Sequence, residues 1–590
     1  MNKRIQHIFF IGLLFSSTAV FSQIKEEKLI LDKKREPEVK KIEKKKTSIE
    51  AEKNYPPEEK SANPPTYDIT NVPASSDFKT SLIQGEDISP KFDAEYQNNY
   101  FQVGMGNYGK ILADGNISTK LDSGMEVGGD VHFLSTAGLR KVYDWNSKQN
   151  AGNVGVFLNS YGEKGKFSIN ADYGLNDYNY YGIYAFRPAS NNVDLQQKTN
   201  QIKVNGYYDF YSNEFLNDVR VKSSFLSDHF NAKENQAEVL VNLSKHGVEL
   251  PTFDDVRFNA DLGLNLETVK TDFELLDKNS SQFLNATLAP KMTFFKGKSY
   301  LMIGSDFSFL NSKNSNMILA DQVKNSKTYW FPKAELQFAA ADEFKFYAGI
   351  TGGLKLNTYA NLLAENPYLV SDQELRPTET KYKFYFGLRG DIDQNIKYDF
   401  SAGYGKMNDI LFFKANDLFF KDNQNFIRQG FDFANTYSSV YDNGTVSEAK
   451  VSVQYFPLAN LSFDGELKFE KYDLQNYQNI YYKPLLTARL GGKYSVLDKK
   501  LNLGATVLLS SDKTTNSFSF TEMDPVLVST ENTNDKVGGF ADLNLSAEYK
   551  VHKNFSIFAL GNNLLNTQYQ TYKGYKVLGA QFLGGVKISF

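Results

Sequence analysis

Residues 541–550 read ADLNLSAEYK. Ala541, Leu543, Leu545, Ala547 and Tyr549 fall on one side of a two-residue repeat, and Asp542, Asn544, Ser546, Glu548 and Lys550 fall on the other. Successive side chains of an extended chain point to opposite faces, so this is a strand with one apolar and one polar wall. Residues 461–470, LSFDGELKFE, repeat the pattern: Leu461, Phe463, Leu467 and Phe469 stand against Ser462, Asp464, Glu466, Lys468 and Glu470. Lys166–Tyr173 and Lys381–Arg389 repeat it again, and the period holds from about residue 97 to Phe590.

A soluble sheet alternates too, so length and connectivity have to decide. The alternating segments commonly run 11–17 residues. Ordinary strands have about 5–6, whereas a tilted strand needs about 9–11 to cross a membrane's hydrocarbon. The connections also alternate in length. Short polar turns such as GEKG (162–165), KGK (296–298), LAN (458–460) and VHKN (551–554) are interleaved with mostly longer segments such as 177–195, 357–377, 410–442 and 513–532. Ten short and eleven outer connections join 22 strands. Short turns on one side and long loops on the other are the asymmetry of an outer-membrane barrel, and an even count returns both chain ends to the periplasm. The fold class is therefore all-β, a transmembrane antiparallel barrel of about 22 strands preceded by a short charged tether.

Composition agrees. The chain of 590 residues has 47 Phe and 36 Tyr but 2 Trp, with 23% charged residues. No run of 18 apolar residues follows residue 22, so no helix is expected to span. At the start, Lys3 and Arg4 precede the apolar run IFFIGLLFSSTAV (8–20), and VFSQ (20–23) offers a cut between Ser22 and Gln23. Residues 1–22 read as a cleaved secretory signal peptide. Their removal leaves 64 basic against 69 acidic residues, a net charge of −5, and no reason to expect nucleic acid as a partner. The absence of cysteine excludes disulfides, thiolate metal sites and a lipid-modified N-terminal cysteine. The expected location is the outer membrane.

The last strand, KVLGAQFLGGVKISF (576–590), places Phe582, Val586, Ile588 and Phe590 on its apolar face and Gln581, Lys587 and Ser589 on its polar one. A terminal aromatic on an alternating strand resembles the assembly signal of outer-membrane barrels. The expected partners are the barrel-assembly machinery and outer-membrane lipid. Just upstream, NNLLNTQY (562–569) matches a recurring N-N-L-x-N-x-x-Y pattern, so residues 555–590 resemble the end of TonB-dependent receptors. The resemblance extends over 97–590 in strand number and loop asymmetry. It implies a 22-stranded barrel and, usually, energised uptake of a large scarce ligand.

That family carries a plug domain inside its barrel, and here the sequence departs from it. Residues 25–60 hold 12 Lys/Arg and 10 Asp/Glu, including KKIEKKK, and YPPEEKSANPP (55–65) breaks any helix. Residues 23–66 read as a charged, proline-broken periplasmic tether; for 25–60 a solvated tether is the plainer reading, and a docking arm for a periplasmic or outer-membrane protein partner, or for peptidoglycan, is the alternative. Residues 67–96 read as an extended lead-in. No plug-like alternation of strands and helices and no convincing TonB-contact motif is found, so the chain resembles plug-less members of the group. A 22-strand lumen must then be closed in another way. The expectation is that loops 357–377, 410–442 and 513–532 fold inward, aided by 61–95. Two roles follow: transport or binding of a ligand at the cell surface, or a closed scaffold within an outer-membrane assembly.

No enzymatic site is visible. His132, His229, His246 and His552 are scattered without ligand spacing. Carboxylates of the polar wall (Asp172, Asp464, Glu466, Asp542, Glu548) are interleaved with Lys166, Lys381, Lys383, Arg389, Lys468 and Lys550, as in any water-facing lumen. No catalytic residue, cofactor or metal is assigned. The tyrosine-rich DYNYYGIYAF (177–186) lies in an outer loop, and Tyr178, Tyr180, Tyr181 and Tyr184 are candidates for a stacking surface, with packing inside the loop as the plainer reading. GMGNYG (104–109) spells G-x-G-x-x-G but precedes a second strand, KILADGNISTKL, rather than a helix, so it reads as the first tight connection of the barrel and not as a nucleotide loop.

Overall fold

The computed structural model describes residues 99–121, 124–139, 145–182, 193–211, 213–250, 255–276, 279–315, 323–419, 429–523 and 526–590. The expected signal peptide, tether and lead-in, and Tyr184, lie outside the described residues.

Twenty-two strands form one antiparallel sheet that closes on itself. The first strand, Tyr100–Gly106, pairs on one side with Ile111–Leu121 and on the other with the last, Gln581–Ser589, setting Phe101 opposite Ile588 and Val103 opposite Val586. Closure leaves no strand edge unpaired, which a sheet in hydrocarbon requires. Ten connections of two to six residues alternate with eleven outer ones of up to 29 residues, as the sequence predicts. Strands run from seven residues at Tyr100–Gly106 to 22 at Tyr437–Leu458.

The alternation is inverted relative to a soluble protein. Phe384, Phe386, Phe400, Tyr404, Phe463 and Leu467 are exposed, whereas Asp114, Glu335 and Asn544 are buried. The apolar wall therefore faces lipid and the polar wall faces the lumen. Inside, Tyr100 Oη and Gln102 Nε2 each donate to Asp114 Oδ2 at 2.9 Å, Lys383 Nζ pairs with Glu448 at 2.9 Å and Lys468 with Glu470 at 2.9 Å. Interleaving the two signs spares each charge the cost of burial without a partner. Tyr455, Phe456 and Tyr549, near the short turns, are exposed as membrane-interface aromatics should be.

The GMGNYG stretch is a one-turn connection. Tyr108 and Gly109 have φ of 56° and 61°, in the left-handed region, and a Cβ on Gly106 would lie 2.2 Å from the Phe582 carbonyl oxygen across the closing seam. The glycines serve chain geometry there. Asn107 clasps the seam by donating from Nδ2 to Ala580 O and accepting from Phe582 N, both at 2.8 Å.

Candidate functional site

The outer loops do not stand apart as separate excursions; they assemble a lid over the barrel mouth. One piece, anchored to the barrel wall, is the connection 356–377. Residues 358–365 supply a helical signal: Thr358 accepts from Asn361 N at 3.2 Å as N-cap, and the helix Tyr359–Glu365 buries Tyr359 and Leu362. Two strand-borne carboxylates anchor it to the wall. Glu234, 1% exposed, accepts Tyr359 N at 2.6 Å and Ala360 N at 2.9 Å, and also Thr271 Oγ1 and Gln236 Nε2. A carboxylate at a helix N-terminus answers both the orphan N–H groups and the dipole. Asp228 Oδ2 accepts Tyr359 Oη at 2.8 Å and Gln197 Nε2 at 3.2 Å, while its Oδ1 accepts Phe230 N and Ala232 N at 2.9 Å. Burial, with the Asp228 charge added, holds the Tyr359 phenol neutral far above the ordinary tyrosine range.

Other loops, and the outer end of the strand Gly165–Asn179 that carries Tyr178, reach this piece from around the ring. Tyr178 Oη donates to Pro367 O at 2.5 Å and Tyr180 Oη to Leu369 O at 2.7 Å. Gly430 N donates to Asp194 O at 2.7 Å, joining the connections that follow the fifth and the fifteenth of the 22 strands, ten strands apart and so nearly opposite. Asn435 Nδ2 donates to Tyr180 O at 3.0 Å over the same span, and Tyr437 Oη to Lys573 O at 2.8 Å. Tyr368 and Tyr575 stack with ring centroids 3.4 Å apart. Together these loops share one hydrophobic cluster that includes Leu362, Leu369, Phe412, Tyr437, Tyr482 and Tyr572. Burial pushes the Tyr482 phenol up to about 12. Burial, with the neighbouring Lys483 charge added, pulls the Lys513 ammonium down to about 8.

The described parts of 357–377, 410–442 and 513–532 meet across the mouth as the inward fold expects, Ala415 N donating to Asn516 Oδ1 at 2.8 Å, although 410–415 and 437–442 belong to strands; the help expected from 61–95 lies outside the described residues. The segment 511–539 adds a hairpin of its own, Lys513–Met523 with Val526–Val537. Of the two readings of the tyrosine-rich stretch, Tyr178, Tyr180 and Tyr181 follow the plainer one, packing. Tyr178 and Tyr180 are buried, Tyr181 packs half-buried against the same cluster, and their hydroxyls are bonded to Pro367, Leu369 and Lys576 carbonyls. The physical reason is that a tyrosine buries a large ring and spends its hydroxyl on a backbone acceptor wherever a neighbouring loop supplies one. The sequence did not indicate Asp228 or Glu234, which look there like ordinary lumen carboxylates.

Phe582, Val586, Ile588 and Phe590 all face outward, 38–60% exposed. NNLLNTQY folds as the outer connection before the last strand. Asn563, at φ 48°, donates to Thr567 O and Leu578 O and accepts from Thr567 N, and Tyr569 stacks on Phe540 with centroids 3.8 Å apart. His132, His229 and His246 each sit beside one aspartate, Asp114, Asp194 and Asp261. Among the described residues no group of three or more His, Cys, Asp or Glu could hold a metal ion.

No family model and no curated protein sequence matches the chain. Solved structures do. The ferric-catecholate import receptor Fiu of Escherichia coli K12 superimposes with a TM-score of 0.59 at 12% identity, over 84% of this chain and 82% of that one. The pyoverdine receptor FpvA of Pseudomonas aeruginosa gives 0.59 at 10% identity, over 85% and 79%. The copper transporter OprC gives 0.57 at 13% identity, over 83% and 80%. The chain shares the fold of these outer-membrane proteins, a closed 22-strand barrel.

Proposed function

We propose that this chain is a surface barrel that binds a ligand or passes it across the outer membrane, and that its loop lid, rather than an internal plug, closes it. The observation that carries the reading is the lid itself: bonds between connections ten strands apart, Gly430 to Asp194 and Asn435 to Tyr180, cross the mouth. A ligand entering from outside must displace or remodel it, and it is held by a few identifiable anchors, Glu234 and Asp228 first among them. Release of those anchors is the gating step. The receptor-like fold agrees with such a role.

The second reading is a scaffold, a barrel that stays shut within a larger assembly and uses residues 25–60 as its periplasmic arm. The closely packed lid favours it as well. Purification of the full chain in mild detergent, with and without residues 25–60, separates the two. The transport reading expects no stoichiometric protein partner that depends on the arm. A partner present at one copy per barrel and lost with the arm would replace that reading with the scaffold.

A further inference from the structure

The outward wall of the barrel is apolar until its outer rim. There, on the arc from the strand Gln196–Phe210 to the strand Leu461–Leu474, lysines take over. Lys198, Lys233, Lys313, Lys324 and Lys406 lie an even number of residues from the exposed Ile202, Val239, Phe309, Trp330 and Tyr404, so they share the lipid-side face. Lys381, which the alternation places on the polar wall, is instead the extra residue of a bulge between Thr380 and Tyr382 and is exposed, lining a groove with Lys406. None of these six makes an ion pair within the described residues. Lys270 and Lys471 occupy the same rim but are paired with Asp272 and Asp473 at 3.0 and 2.9 Å.

Two details make the arc more than scattered surface charge. Lys313 and Lys324 are direct partners across neighbouring strands, an arrangement of like charges that costs stability unless an anion lies between them. Lys381 and Lys406 line one groove together with Asn408, Thr445 and Asp473. Toward the closing seam, Met105, Ile111, Leu509 and Phe582 instead carry exposed apolar side chains to the outer ends of their strands.

We propose that this arc holds phosphorylated lipid of the outer leaflet, with the Lys313–Lys324 pair and the Lys381–Lys406 groove as its two seats. Lysines at a membrane surface attract anionic headgroups, and a lipid with two phosphates meets paired lysines with paired charges. Lipid held in this way would gather on the arc and away from the closing seam.

Native mass spectrometry of the full chain in mild detergent tests this, with diphosphorylated lipid A, its dephosphorylated form and phosphatidylcholine as probes. The wild type should retain roughly tenfold more of the diphosphorylated lipid than of either control, less so as salt shortens the range of the charges. The K313Q/K324Q/K381Q/K406Q variant should fall to the control level, and its K→R counterpart should keep the wild-type preference. Equal retention of the three lipids by the wild type, or unchanged retention by the glutamine variant, overturns the proposal. Displacement of the lipid by equimolar inorganic pyrophosphate also overturns it, because the arc would then be a site for free anions. If the glutamine variant does not fold, the wild-type comparison of lipids and its salt dependence still give the answer.

Discussion

Glu234→Gln should loosen the lid without unfolding the barrel. The wild-type carboxylate receives four donors, two from the helix backbone at Tyr359 and Ala360 and two from Thr271 and Gln236, split between its two oxygens. The amide keeps the shape but offers one oxygen, so two donors meet an N–H₂ group. An unsatisfied buried donor costs about 1–3 kcal/mol, and loss of the negative charge at the helix N-terminus adds about 0.3–1 kcal/mol. Some relaxation of Thr271 is available, which leaves about 3 kcal/mol, or roughly a hundredfold in the opening equilibrium. Hydrogen exchange at the amides of 359–365 reads that equilibrium directly. Protection there should fall by about that factor, while the strands Tyr100–Gly106 and Gln581–Ser589, which close the seam, stay as protected as in the wild type. Unchanged protection of the helix would refute Glu234 as its anchor. An equal loss in every strand would show that the lid is not a separable unit.

Lys513→Met tests the electrostatics of the lid. The wild-type lysine releases its proton at about 8 in the closed lid, but in an opened chain it holds it to about 10.4. Between those values the opened state binds more protons, so the closed state gains stability as pH rises through the window. The full shift is worth ~3 kcal/mol, and water at this half-buried site trims it to ~2 kcal/mol. Opening frequency in planar bilayers should therefore fall between pH 7 and 9.5 for the wild type and stay low and flat for the variant; a flat wild-type profile would contradict the assignment. Asn563→Ala removes the bonds to Thr567 and Leu578 at a position with φ of 48°, and should cost about 2–4 kcal/mol of barrel stability, read as a lower temperature for the heat-modifiable gel shift. Phe590→Ala should lower the amount of folded protein in the outer membrane several-fold while leaving the melting temperature of refolded barrel nearly unchanged. A matched drop in both would make Phe590 a packing residue and not a signal.

The barrel was legible because its determinants are local. Alternation in 461–470 or 541–550 needs no knowledge of the rest of the chain, and strand length is dictated by membrane thickness. The lid was legible only as an expectation that long loops turn inward. Its bonds join residues such as Tyr180 and Asn435, 255 positions apart, and no periodicity announces such a meeting. Asp228 and Glu234 occupy lumen-side positions where a carboxylate is ordinary, and they become anchors only because 356–377 arrives above them. The helix Tyr359–Glu365 did carry a signal, Thr358 ahead of Tyr359, Leu362 and Leu363, but at seven residues it is too short to stand out from a loop. The tyrosines of 178–181 were recognisable as important, but their partners lie in distant loops, so burial could not be told from exposure.

The central claim is that the outer loops close a 22-strand barrel. Single-channel recording of the full chain in planar bilayers tests it most directly, beside a variant in which residues 358–376 are replaced by a short Gly-Ser linker. The wild type should stay silent apart from brief events, and the shortened variant should show large, stable conductance. Large, stable openings by the wild type would contradict the account.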